Sequence, residues 1–118
     1  NRMYVLGASG GGMATLFTFM RSKHKIRKFS AWVPVTDVAA FYHQGLIRHN
    51  KYPAEAILCV GSVNNSINTA EADKRSPLYC VTPVEKLNYS VLEIYSGIYD
   101  GIQGSVPVSH AVNMYNKI

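Results

Sequence analysis

The sequence predicts an α/β fold, a parallel sheet whose strands are joined by crossover helices. Three short apolar runs read as strands: Met3-Tyr4-Val5-Leu6, Phe29-Ser30-Ala31-Trp32-Val33 and Val91-Leu92-Glu93-Ile94-Tyr95. The segments after them carry helical periodicity. Strand, helix, strand, helical region, strand, helix is the alternation that parallel strands with crossover helices produce.

The first run is continuously apolar up to Gly7, as suits a strand buried on both faces. After Ala8-Ser9-Gly10-Gly11-Gly12, the residues Met13, Leu16, Phe17 and Met20 fall at i, i+3, i+4 and i+7, one stripe of a helix. Arg21, Lys23 and Lys25 come next, where cations complement the negative pole of that helix. The second strand is stopped by Pro34. Asp37, a good N-cap type, opens a short helix carrying Val38, Phe41 and Tyr42. Residues 43–89 are less regular: a short helix over 53–60, a Ser- and Asn-rich loop over 61–69, and a helical turn over 70–75. Ser76-Pro77 and Thr82-Pro83 punctuate the stretch ahead of the third strand. That strand closes at Ser96-Gly97. Beyond a Gly-containing loop, Pro107 marks the first turn of a last helix, with Val108, Ala111, Val112 and Tyr115 as its stripe.

Composition bounds the function. At 118 residues, 47% hydrophobic and 16% charged, the chain is about one domain's worth and not disordered. Its apolar runs are too short for a membrane span, and its opening residues carry no secretory signal. Three strands make a narrow sheet, and apolar parallel strands need cover on their faces and edges. The expectation is that residues 1–118 are a fragment of one domain, partnered by the remainder of that domain. Twelve Lys and Arg against seven Asp and Glu give a net charge of +5. Much of the excess lies in Arg21, Lys23, Lys25, Arg27 and Lys28, between two apolar segments. That pattern reads as a solvated connecting loop and not as a nucleic-acid footprint. Cys59 and Cys80 are too few for a disulfide framework and match no zinc spacing; both read as buried thiols.

The chemistry is concentrated in Gly7-Ala8-Ser9-Gly10-Gly11, a G-x-S-x-G pattern lying between an apolar strand and an amphipathic helix, where a nucleophile elbow belongs. So tight a turn strains the nucleophile and leaves no room for side chains two residues to either side, which predicts a steric need for Gly7 and Gly11. Ser9 would project from the strand's C-terminal edge, with the Gly10 N–H aimed at the oxyanion of acyl transfer. A phosphate loop needs Gly-Lys-Ser/Thr, but Gly12 is followed by Met13. A dinucleotide fingerprint fails because its third glycine position is Thr15. A plain tight turn with a surface serine, or anion binding at the helix N-terminus, are the other readings.

Asp100 comes after the third strand, in the chain order serine, then acid, then histidine. It would hold an imidazole in its working tautomer and stabilise its cation; otherwise Asp100-Gly101 is a turn pair. After Asp100 the only histidine is His110, in the first turns of the last helix, read either as the base or as a residue at the rim. His24, His43 and His49 precede Asp100 and break the order.

Val5-Leu6-Gly7-Ala8-Ser9-Gly10-Gly11, Trp32-Val33-Pro34-Val35-Thr36-Asp37, Arg75-Ser76-Pro77, and Tyr95-Ser96-Gly97-Ile98-Tyr99-Asp100 with Val106-Pro107 together resemble the catalytic domain of prolyl oligopeptidase-type α/β-hydrolases. That group includes peptidases and esterases of acylated carbohydrates. The resemblance spans nearly the whole chain in the right order. It implies a partial α/β-hydrolase fold, with the strands before the elbow and the final strand outside this sequence, Ser9 as nucleophile and Asp100 as acid. It also implies a catalytic histidine beyond Ile118, no cofactor, and a peptide or acylated carbohydrate as substrate. The insertion Gly101-Ile102-Gln103-Gly104-Ser105 departs from the usual short link before Val-Pro and leaves both peptidase and esterase open. The alternative is a non-catalytic relative, an α/β-hydrolase-like binding or interaction module. Asp37 reads as a helix cap.

Overall fold

A computed structural model describes residues 2–82 and 90–118; Pro83 of the expected Thr82-Pro83 break lies outside them. The chain is mixed α/β. In order it forms β1 (Tyr4–Ala8), α1 (Gly10–Arg21), β2 (Lys28–Trp32), α2 (Val38–Ile47), α3 (Tyr52–Val60), β3 (Ser62–Val63), β4 (Ser66–Ile67), α4 (Thr69–Lys74), a 3-10 turn (Pro77–Tyr79), β5 (Val91–Tyr95) and α5 (Ser109–Lys117).

The main sheet has the order β1-β2-β5, and both pairings are parallel. Ala8, Trp32 and Tyr95 share its last row. Of the helices, α1 packs on β1 and β2 and α5 on β5, on one face of the sheet. That face holds the core: Leu16, Phe19 and Met20 of α1, Phe29 and Ala31 of β2 and Met114 of α5, with Leu92 and Ile94 packed against them. Phe19 meets Phe29 edge-on at 5.3 Å between ring centroids. On the opposite face Tyr4, Leu6, Val91 and Trp32 are exposed, Leu6 at 72%. Lys28 and Glu93 form an ion pair there at 2.8 Å. A second apolar cluster joins α2, α3, β4 and α4 through Tyr42, Val60, Ile67 and Ala72.

Four expectations are corrected. β1, expected to be buried on both faces, has one face exposed through Tyr4, Leu6 and Ala8. Of the predicted α1 stripe, Leu16 and Met20 are buried and Phe17 packs part-buried against the core, whereas Met13 is only half-buried and Gly12, Thr15 and Phe19 complete the buried face. The contact face is set where α1 presses closest: a Cβ on Gly12 would stand 2.9 Å from Pro34 Cα and from Trp32 O. Phe17, at the edge of that core, also lies under the Arg21 guanidinium, 4.5 Å away. The last helix starts two residues after Pro107 and buries His110, Ala111 and Met114, whereas Val112 and Tyr115 are exposed. The expected loop over 61–69 holds a small antiparallel hairpin, β3 to β4. It is turned by Asn64 and Asn65, both at positive φ, as a two-residue mirror-image turn requires.

Candidate functional site

Ser9 sits between the last residue of β1 and the first of α1 with φ 55° and ψ −115°. This is a sparsely populated conformation, of a kind costing on the order of 1–3 kcal/mol. The backbone around it is over-determined. The Ser9 N–H donates to Trp32 O at 2.9 Å, and Ser9 O accepts from Met13 N–H at 3.1 Å and from Val35 N–H at 3.4 Å. The side chain makes no capping hydrogen bond to α1 and the residue is exposed. Gly10, the first helical residue, has an N–H without an intrahelical acceptor.

The steric demand falls on a different pair of glycines from that expected. A Cβ on Gly7 would overlap the Gly11 carbonyl oxygen and lie 2.6 Å from Thr15 Oγ1, and one on Gly12 would collide with the Trp32–Pro34 backbone. A Cβ on Gly11 meets nothing within 4 Å. The backbone carbonyl of Gly11 fills the space above Gly7, so the turn needs the first glycine of the motif and not the last.

Asp100 lies beyond β5 at the same C-terminal edge. Two strand spacings of about 4.8 Å separate the tips of β1 and β5, and β2 lies between them. Asp100 Oδ2 accepts from the Ser96 hydroxyl at 2.9 Å and from the Gly97 N–H at 2.5 Å. Its carbonyl accepts from Val108 N–H at 3.1 Å, which closes the segment 101–107 into a loop. Next to this edge Trp32 stacks on Tyr95, 4.3 Å between centroids. Val33, a β-branched residue at φ 40°, donates its N–H to Tyr95 O at 2.7 Å.

His110 lies apart from the serine in its bonding. It is 3% exposed. Its Nδ1 accepts from the Thr36 N–H at 3.0 Å and from the Asp37 N–H at 3.3 Å. Two converging donors require a bare Nδ1, so the proton is on Nε2, which donates to Gln44 Oε1 at 2.8 Å. Burial holds its pKa below the usual imidazole value, opposed by the Asp37 carboxylate. Both ring nitrogens are engaged, leaving none for Ser9; the ring ties α5 to the β2–α2 connection. Asp37 caps α2 as expected, accepting from Ala40 N–H at 3.0 Å, and its other oxygen accepts from the Tyr79 hydroxyl at 2.9 Å.

A cavity of about 390 Å³ opens at Ser9 and Gly10. Met13, Val35, Val38 and Phe41 form one side; Tyr52, Ala56, Cys59 and Val60 of α3 form the other, with Glu55 and Arg75 also present. No local pattern points to this wall, because α3 turns toward Ser9 only through the packing of α2 on α3. Cys59, expected to be buried, is exposed here, and Cys80 is half-buried. Among the described residues no group of three or more His, Cys, Asp or Glu side chains is placed to hold a metal ion. No helix among them is long and apolar enough to cross a membrane. In comparison with known proteins, no family model matches this chain, and no curated protein matches it.

Proposed function

We propose that this chain carries the nucleophile and the acid of a serine hydrolase, part of an α/β-hydrolase fold similar to the prolyl oligopeptidase type, cleaving an ester or peptide bond through an acyl-enzyme. Ser9 attacks the carbonyl carbon and a histidine outside residues 1–118 takes its proton. Asp100 orients that histidine, and the Gly10 N–H supplies half of the oxyanion hole. The single observation that best supports this reading is the strained backbone of Ser9 at a strand-to-helix turn. Gly7 admits no Cβ there, and the hydroxyl is not spent on capping. The cavity beside Ser9 suits an apolar acyl group or side chain of a peptide or acylated carbohydrate.

One observation favours a second reading, a non-catalytic binding module: Asp100 Oδ2 already serves its own turn through Ser96 and Gly97. A fluorophosphonate probe applied to the natural full-length protein separates the two. Labelling that disappears in Ser9→Ala supports the hydrolase. A folded protein that takes no label supports the module.

A further inference from the structure

The insertion after Asp100 is held from outside. Arg48, half-buried at the end of α2, reaches across to donate from Nη1 to Gly104 O at 2.7 Å and from Nη2 to Ile102 O at 3.2 Å. Both carbonyls belong to the five residues 101–105. The loop leaves Asp100 through Gly101 at φ 92°, where a Cβ would stand 2.6 Å from Pro107 Cα. It returns to Val108, whose N–H bonds the Asp100 carbonyl. Its far side folds back over the carboxylate, since a Cβ on Gly104 would lie 3.7 Å from Asp100 Oδ1. Ile102, at 76% exposure, and Tyr99, at 62%, contribute little packing. The loop is therefore pinned at its base by its own backbone and at its tip by a guanidinium whose planar fork fits two carbonyls at once.

We infer that Arg48 is a positioning residue for Asp100, acting through the 101–105 loop; this rests on the hydrolase reading above. A carboxylate must hold its histidine within a narrow geometry, and a displacement of about 1 Å is enough to cost on the order of 10²-fold in rate. Without Arg48 the loop tip keeps only its short-range bonds, Ile102 N–H and Gln103 N–H to Tyr99 O at 3.0 and 3.1 Å. Asp100 Oδ2 stays bonded to Ser96 and Gly97, and it is Oδ1, beside Gly104, that loses a fixed neighbour.

The test uses the natural full-length protein with the Arg48→Met and Arg48→Lys variants. In Arg48→Met, kcat falls roughly 10–100-fold while KM stays within about twofold. The acidic limb of the kcat/KM profile moves down by roughly one pH unit, because a displaced carboxylate no longer stabilises the histidine cation. Arg48→Lys, which can reach one carbonyl at a time, recovers part of the loss. Independently of activity, limited chymotrypsin digestion at Tyr99 increases in Arg48→Met. An Arg48→Met protein that folds with unchanged kcat, pH profile and digestion overturns the inference and leaves the hydrolase reading intact. If Arg48→Met does not fold, Arg48→Lys decides: an unmoved kcat and profile overturn it. A wild-type protein that takes no fluorophosphonate removes the hydrolase reading instead, and with it the catalytic meaning of Arg48.

Discussion

The Nε2–H of His110 donates to the side-chain carbonyl of Gln44 across 2.8 Å, and this bond fixes the tautomer that lets Nδ1 accept two backbone N–H groups. A chain order that ends in histidine thus meets a ring already committed to joining α5 to α2. The imidazole is neutral in the folded state, and burial keeps its pKa below 6.5.

The stability of the protein is therefore expected to depend on pH through this residue. Its contribution is fully present above about pH 6.5, the unfolded value, and is lost as pH falls toward and through the lower folded value, with a slope of up to about 1.4 kcal/mol per pH unit. Urea unfolding at about pH 7.5 and about pH 5.5, on either side of the unfolded value, measures it. His110→Gln should flatten the dependence; a wild-type midpoint that does not move over this range contradicts the assignment. His110→Ala, leaving the Thr36 and Asp37 N–H groups unpaired, should cost on the order of 2–4 kcal/mol.

The 118-residue polypeptide by itself is expected to hydrolyse neither ester nor peptide substrates. Losing a base or an oxyanion donor costs on the order of 10²–10⁶ in rate. Turnover by this polypeptide that a folded His110→Gln variant lacks would make His110 the base after all.

The glycines around Ser9 should separate cleanly. Gly7→Ala drives a methyl into the Gly11 carbonyl oxygen and is expected to destabilise by about 3 kcal/mol or more. Gly11→Ala enters open space on a helix and should gain up to about 1 kcal/mol while keeping fluorophosphonate labelling. Equal effects of the two, in thermal melts, would refute the geometry described for the turn.

Ser9→Gly should raise stability by about 1 kcal/mol, since glycine tolerates φ 55° without strain, and it should abolish labelling. Ser9→Ala should abolish labelling without that gain. If both variants melt at the wild-type temperature, the strain at Ser9 is not realised in solution.

Cys59 is exposed and lines the cavity that holds Ser9. A bulky maleimide adduct at this thiol is expected to slow acylation of Ser9 at least several-fold by occupying that space, and Cys59→Ser should remove the effect. Unchanged labelling of the modified protein would mean that substrates approach from elsewhere.

The three parallel strands and the turn at Ser9 were legible because each is written locally, in apolar runs and in flanking glycines. The helix faces were less so. Gly12 and Thr15 read as neutral residues, yet close approach to Pro34 makes theirs the buried side of α1. The Asn64-Asn65 hairpin reads as loop because its strands are two residues each, too short for alternation to register. The cavity wall, Arg48 and the Gln44–His110 pair depend on residues far apart in the chain meeting in space, and no local pattern encodes that.

The bare side of the sheet has a consequence for handling the protein. Tyr4, Leu6, Trp32 and Val91 present oily surface flanked by outermost strands whose outward peptide groups have, among the described residues, no neighbouring strand in the sheet. A polypeptide of these residues alone should be sticky, self-associating as its concentration rises. Lysine or glutamate in place of Leu6 should keep it dispersed.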